Sequence, residues 1–222
     1  VDLVIKTSSF EEITIILLAL IISIYHICCA VFGAKAPMEF RTAHLGFLLP
    51  MVYLGLANPQ IHEGISIYKR VVMWILAVAS FFANAYIMFF AAERYTERIY
   101  LVGKVTTTDM ILGIALICLV LIATWLSIGA PLAILGALSV LYIRYGAVMP
   151  GGLRHAGYSW TKIIDMEYMG TYGIFGIPLG ASASFIFLFM LFGAFLEASN
   201  TGSFLIDWAT GLCGSQKGGP AK

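Results

Sequence analysis

No charged residue lies between Asp109 and Arg144, and none lies between Glu167 and Glu197. A helix needs about 20 apolar residues to cross the hydrocarbon core of a bilayer, so each of these windows holds at least one crossing. A soluble helix of that length would need a polar face toward water. Composition agrees: 60% of the residues are apolar and only 11% charged, with mean hydropathy +0.92, against roughly 25% charged residues in soluble domains. The 13 basic and 12 acidic side chains nearly cancel, so no global field points to nucleic acid as a partner. The sequence therefore reads as an all-α polytopic membrane protein with about six transmembrane helices and short interfacial helices. Its immediate partner is the lipid bilayer.

Six spans follow from the apolar runs: Ile13–Phe32, Thr42–Ala57, Val71–Ala92, Thr108–Ile128, Ala130–Met149 and Gly173–Leu196. Ser8, Ser9, Glu11 and Glu12 suit the start of the first, and the Thr106–Asp109 cluster suits a cap for the fourth. Pro50 makes the second span kinked, tilted or dependent on neighbours. Two surface helices are expected in addition. Trp160–Tyr168 mixes aromatic and charged residues as interfacial segments do; Phe204, Leu205, Trp208 and Leu212 share one helical face. Lys and Arg divide about evenly between the two sides, so the positive-inside rule sets no orientation.

Groups that could converge for catalysis are scarce. No metalloprotease, nucleophile-elbow, paired-carboxylate or phosphate-loop pattern occurs. Cys28, Cys29, Cys118 and Cys213 lack metal-ligand spacing. The reading is a non-enzyme with no catalytic residue, no cofactor and no metal site. Three polar residues inside spans stand out. His26 is a candidate for proton or ion handling, or for a hydrogen bond between helices. Asn84 reads as interhelical glue. Arg144, near the end of the fifth span, reads as a snorkelling cation or one half of an ion pair. His44 and His62 lie near span ends, where an interfacial role is expected, and His155 falls in a loop.

The sixth span is unusual in carrying Gly173, Gly176, Pro178 and Gly180, then Ser182 and Ser184. Glycines let backbones approach closely, and proline frees a carbonyl. Gly176, Pro178, Gly180, Ser182 and Ser184 are thus candidates for lining a pathway or for helix packing. The string from Gly173 to Lys222, GIFGIPLGASASFIFLFMLFGAFLE and onward to GGPAK, resembles the fused permease of tripartite ATP-independent periplasmic (TRAP) transporters. The similarity is greatest to the branch served by TAXI-type receptors. Arg41–Phe47 (RTAHLGF), Thr106–Gly113 (TTTDMILG) and Gly146–Ser159 add weaker matches in the expected order.

The resemblance implies a division of the chain. Residues 1–128 correspond to the four-helix small subunit, a membrane stator, and residues 129–222 to the beginning of the large permease subunit, cut short. It implies a sodium-coupled secondary transporter for small organic acids, dicarboxylate-like anions among them. An extracytoplasmic TAXI-type solute-binding protein delivers the substrate, and an elevator-type movement carries it. The remaining large-subunit helices would be a further partner, and they would hold the sodium and substrate sites. The chain alone is therefore not expected to transport. Gly176, Pro178 and Ser182 then read as packing residues near the machinery rather than cargo ligands. In relatives the fourth span ends in an acidic residue and two arginines, whereas Leu121–Ser127 is uncharged here. The alternative is a non-transporting stator that docks a separate large subunit.

Overall fold

The computed structural model describes residues 10–34, 36–59, 61–62, 64–91 and 105–213. Regular structure among them is helical throughout: α1 Phe10–Phe32, α2 Pro37–Ala57, α3 Ile67–Tyr86, α4 Thr107–Ser127, α5 Ala130–Tyr145, α6 Trp160–Glu167, α7 Ile177–Ala181, α8 Phe187–Ala198 and α9 Thr201–Cys213. A π-turn, Ile87–Ala91, continues α3, and another, Ser182–Ile186, joins α7 to α8. Six helical stretches are long and apolar enough to cross a membrane: α1, α2, Ile67–Phe90, α4, Ala130–Val148 and Ile177–Ala198. The protein is an all-α polytopic membrane protein, as its charge-free windows require.

Local chemistry explains the helix ends. Thr106 and Asp109 form a reciprocal capping box at the start of α4: the Asp109 amide donates to Thr106 Oγ1 at 3.2 Å, and the Thr106 amide donates to Asp109 Oδ2 at 2.9 Å. Ser66 and Ser159 cap α3 and α6 in the simpler manner. Gly129, at φ 127, turns the chain between α4 and α5; that conformation is open to glycine and rare for other residues.

The first and third spans begin three and four residues earlier than the sequence reading placed them, at Phe10 and Ile67, and the shifts of the second and sixth bear on the site. α2 starts at Pro37, not Thr42, because a proline in the first helical turn lacks only an N–H that has no intrahelical partner. This brings Arg41 one turn inside the helix. The sixth span starts at Ile177, so Pro178 lies in its first turn, where the missing N–H has no intrahelical partner to lose. Ser8, Ser9, Ala92 at the end of the third span and the GGPAK end of the resembling string lie outside the described residues.

Contacts divide the chain into two compact units, 1–180 and 181–222. In the first unit α2 is central, packing mainly on α3 and also on α1 and α4. Half of its apolar window is buried, against 11% for α1. Pro50 sits in the middle of α2 and is buried, and the helix runs through it with neighbours on several sides. Tyr53, Leu54, Ala77, Ala83, Leu116, Ile164, Tyr168 and Phe175 belong to one core cluster. Helices on both sides of residue 128 therefore share a core.

Candidate functional site

Polar groups converge where α2 begins, α3 ends and α4 begins, and the segment from α6 to Gly180 is packed into that end. The inner face of α6 carries Ile163, Ile164 and Asp165, all buried. The expected surface helix is therefore a docked one. Its seat is Gly113 of α4: a Cβ there would stand 2.6 Å from Ile164 Cγ2 and 3.2 Å from Tyr168 Cβ. Tyr168 then reaches α3, its hydroxyl donating to Ala83 O at 2.7 Å. The chain changes pitch here, and the Ile87 amide donates to Asn84 O rather than to Ala83 O. On the same helix Tyr86 donates to Asp109 Oδ1 at 3.1 Å, so the α4 cap also ties α4 to α3.

After Tyr168 the chain makes a tight turn built on glycine. A Cβ on Gly173 would lie 2.3 Å from Glu167 Cα, and one on Gly176 would lie 2.7 Å from Gly173 O. No side chain fits at either place. The turn aims Phe175 O at Arg41, whose Nη1 donates to it at 2.8 Å. The rest of the Arg41 guanidinium lies on Gly180: a Cβ on Gly180 would come within 2.7 Å of Nε and 2.8 Å of Cζ and Nη2. The glycines singled out in the sequence thus serve backbone turns and close packing, with Gly180 against an arginine. Pro178 lies in the turn of helix that Gly180 belongs to, and Ser182 and Ser184 lie in the π-turn that follows.

The polar intramembrane residues go to different places. His26 of α1 and His44 of α2 are both fully buried and bonded to each other, His44 Nδ1 to His26 Nε2 at 3.0 Å. His26 Nδ1 lies 3.0 Å from Ile22 O. A carbonyl accepts only, so His26 carries its proton on Nδ1, and His44 Nδ1–H donates to His26 Nε2. His44 is therefore a buried helix–helix contact, not an interfacial residue. Asn84 Nδ2 donates to Ser80 O in its own helix at 2.8 Å, and its Oδ1 is buried without a partner among the described residues. Its tie to α2 is packing, since a Cβ on Gly46 would meet Asn84 Cβ at 3.0 Å. Arg144 closes the loop after α5, with Nη1 3.5 Å from Tyr158 O and Cζ 5.3 Å from the Tyr145 ring centroid. In that loop His155 Nε2 donates to Tyr142 O at 3.1 Å while Nδ1 accepts from the Gly157 amide at 3.1 Å.

Sequence reading missed Arg41 as a site residue, because beginning the second span at Thr42 left it outside. A cation inside a span is a functional candidate by default, and the proline at position 37 was the available signal. It also missed Glu11, read as a helix start. Glu11 Oε1 accepts from Arg70 Nη2 at 2.6 Å, Arg70 Nε at 3.1 Å and Trp74 Nε1 at 3.1 Å. Among the described residues no group of three or more His, Cys, Asp or Glu is placed to hold a metal ion. Chemically, the junction is a set of backbone carbonyls met by Arg41 and Tyr168 donors, which suits holding helices in place.

Residues 115–222, just under half of the chain, match the family model described as the tripartite ATP-independent periplasmic transporter, DctM component. The match begins within α4 and takes in α5, the docked α6 and the Ile177–Ala198 span. No match is found among curated proteins or among solved structures.

Proposed function

We propose that the chain is the small-subunit-like region and the opening of the large subunit of a fused TRAP-type permease in the inner membrane. The observation that carries this reading is the match of residues 115–222 to the DctM component. In such a protein residues 1–128 serve as the stator, and residues 129–222, with the helix from Ile177, form the beginning of the large subunit. The reading extends to sodium-coupled uptake of a small organic acid delivered by an extracytoplasmic receptor of the TAXI type. The sodium and cargo sites lie in large-subunit helices other than those described here. The shared core of α2, α4, α6 and the Phe175 turn supports the fusion, since it packs stator-like helices with the large-subunit opening. The same match counts against a stator that docks a separate large subunit.

The test is uptake of labelled succinate into proteoliposomes holding the full-length protein, with the purified receptor outside. Uptake is expected only with an inward sodium gradient and with receptor present. Uptake that persists without either one overturns the mechanism.

A further inference from the structure

We propose that Arg41 is a positioning residue that clamps the first turn of the helix beginning at Ile177 onto α2. The clamp holds the Phe175–Gly180 start of that helix on α2 of the stator-like region while the protein works. This inference rests on the permease reading above and assigns a role within it.

Arg41 grips two features at once, the Phe175 carbonyl at 2.8 Å and the bare face of Gly180. They are five residues apart and flank Pro178, so together they fix both the position and the direction of the helix start. The acceptor is itself immobilised. Phe175 is 0% exposed, with its ring centroid 6.4 Å from that of Tyr168, which is bonded to α3. Among the described residues no carboxylate pairs with Arg41. The guanidinium is directed at backbone, and its flat fork can lie on a glycine while donating sideways, which the compact, strongly hydrated ammonium of lysine cannot do. Gly180 is also the last residue of the first compact unit. The clamp therefore acts at the point where that unit ends.

The experiment is a double-substitution cycle in the full-length purified protein, read by melting temperature and by initial rate of sodium-driven succinate uptake. Gly180→Ala puts a methyl against the guanidinium, and its melting temperature is expected to fall by about 4 °C. In an Arg41→Ala background the same methyl no longer meets the guanidinium and is expected to cost less. Arg41→Lys is expected to lower the uptake rate on the order of tenfold, with KM within about twofold of wild type, as misplacement of a working helix does. Additive melting shifts overturn the clamp. Coupled shifts with an unchanged uptake rate overturn the positioning role and leave a merely structural contact. A wild-type protein that takes up no succinate under a sodium gradient with the receptor present overturns the permease reading as stated, and the melting cycle then decides the clamp by itself.

Discussion

Helix α1 and the α6–Gly180 segment join the same bundle by opposite means. The buried residues of α1 are Glu11, Ile22 and His26. Two of these are polar, and the third lends its carbonyl to His26. Ile15 and Leu18 touch the core cluster only partly buried, and the outer face is open, with Leu17, Leu20 and Ile24 more than half exposed. The α6–Gly180 segment instead buries Ile163, Ile164, Tyr168, Met169 and Phe175, with Ile164 and Tyr168 seated on Gly113. Lipid tails are as apolar as leucine, so a membrane helix gains little by exchanging lipid for another apolar helix. The fully buried contacts of α1 are accordingly two polar pins, Glu11 in its first turn and His26 in its second half. The α6–Gly180 segment, which does not cross the membrane until Ile177, collapses as a soluble core does.

The sharpest way to break this contrast is to remove a pin. Glu11 is 1% exposed and accepts three hydrogen bonds on one oxygen. Glu11→Ala leaves the Arg70 guanidinium and the Trp74 N–H without their acceptor. Cutting one side of a fully buried pair costs 3–5 kcal/mol, and Arg70, being a third exposed, recovers some of that from water; the expected loss is about 2–3 kcal/mol. It should be read as a lowered melting temperature and as raised labelling of a cysteine placed on the inner face of α1. If α1 stays in place and the protein melts unchanged, polar pinning is wrong.

The glycine seat gives a smaller effect with a built-in rescue. Gly113→Ala forces a methyl to within 2.6 Å of Ile164 Cγ2, an atom on Cβ that cannot swing away. Overpacking of this kind costs about 1–3 kcal/mol, and the better helix propensity of alanine returns up to about 1 kcal/mol, so a net loss of about 1–2 kcal/mol is expected. Ile164→Leu removes the colliding methyl and should restore most of the melting temperature in the double variant. Failure of that rescue would mean that α6 does not seat on Gly113.

The same contrast explains what could be read in the sequence. The six spans and the Thr106–Asp109 cap were legible because length, charge and capping chemistry are local. The face of α1 that meets α2 was not legible: Ile and Leu surround that helix, and in lipid a binary pattern marks no inside. His26 was visible as an odd residue, but its partner lies 18 residues away on another helix. Glu11 read as a helix-start acid because nothing near it in sequence points to Arg70. Gly173, Gly176 and Pro178 showed that backbones come close. They did not show whether the neighbour was a ligand, another helix or their own turn.

Glu167 supplies the finest test, because it is the counterpart of Glu11 in the other segment. Its carboxylate accepts no hydrogen bond among the described residues, and a Cβ on Gly173 would lie 2.5 Å from its Oε2. Burial without compensating donors pushes its carboxyl above the ordinary value of 4.5. A carboxyl raised in this way holds its proton more tightly folded than unfolded. Its contribution to stability is therefore greatest below the unfolded value and is lost as pH climbs from there through the raised folded value. Glu167→Gln removes the titration and keeps the shape. The difference in melting temperature between wild type and this variant, followed from about pH 4 to about pH 8, should move against wild type as pH rises just above the ordinary carboxylate range. The amplitude should stay under about 1 kcal/mol, since Glu167 is partly exposed and water screens it. Parallel curves would show that Glu167 is solvated as freely as any surface acid, and that the turn around Gly173 is looser than its glycines demand.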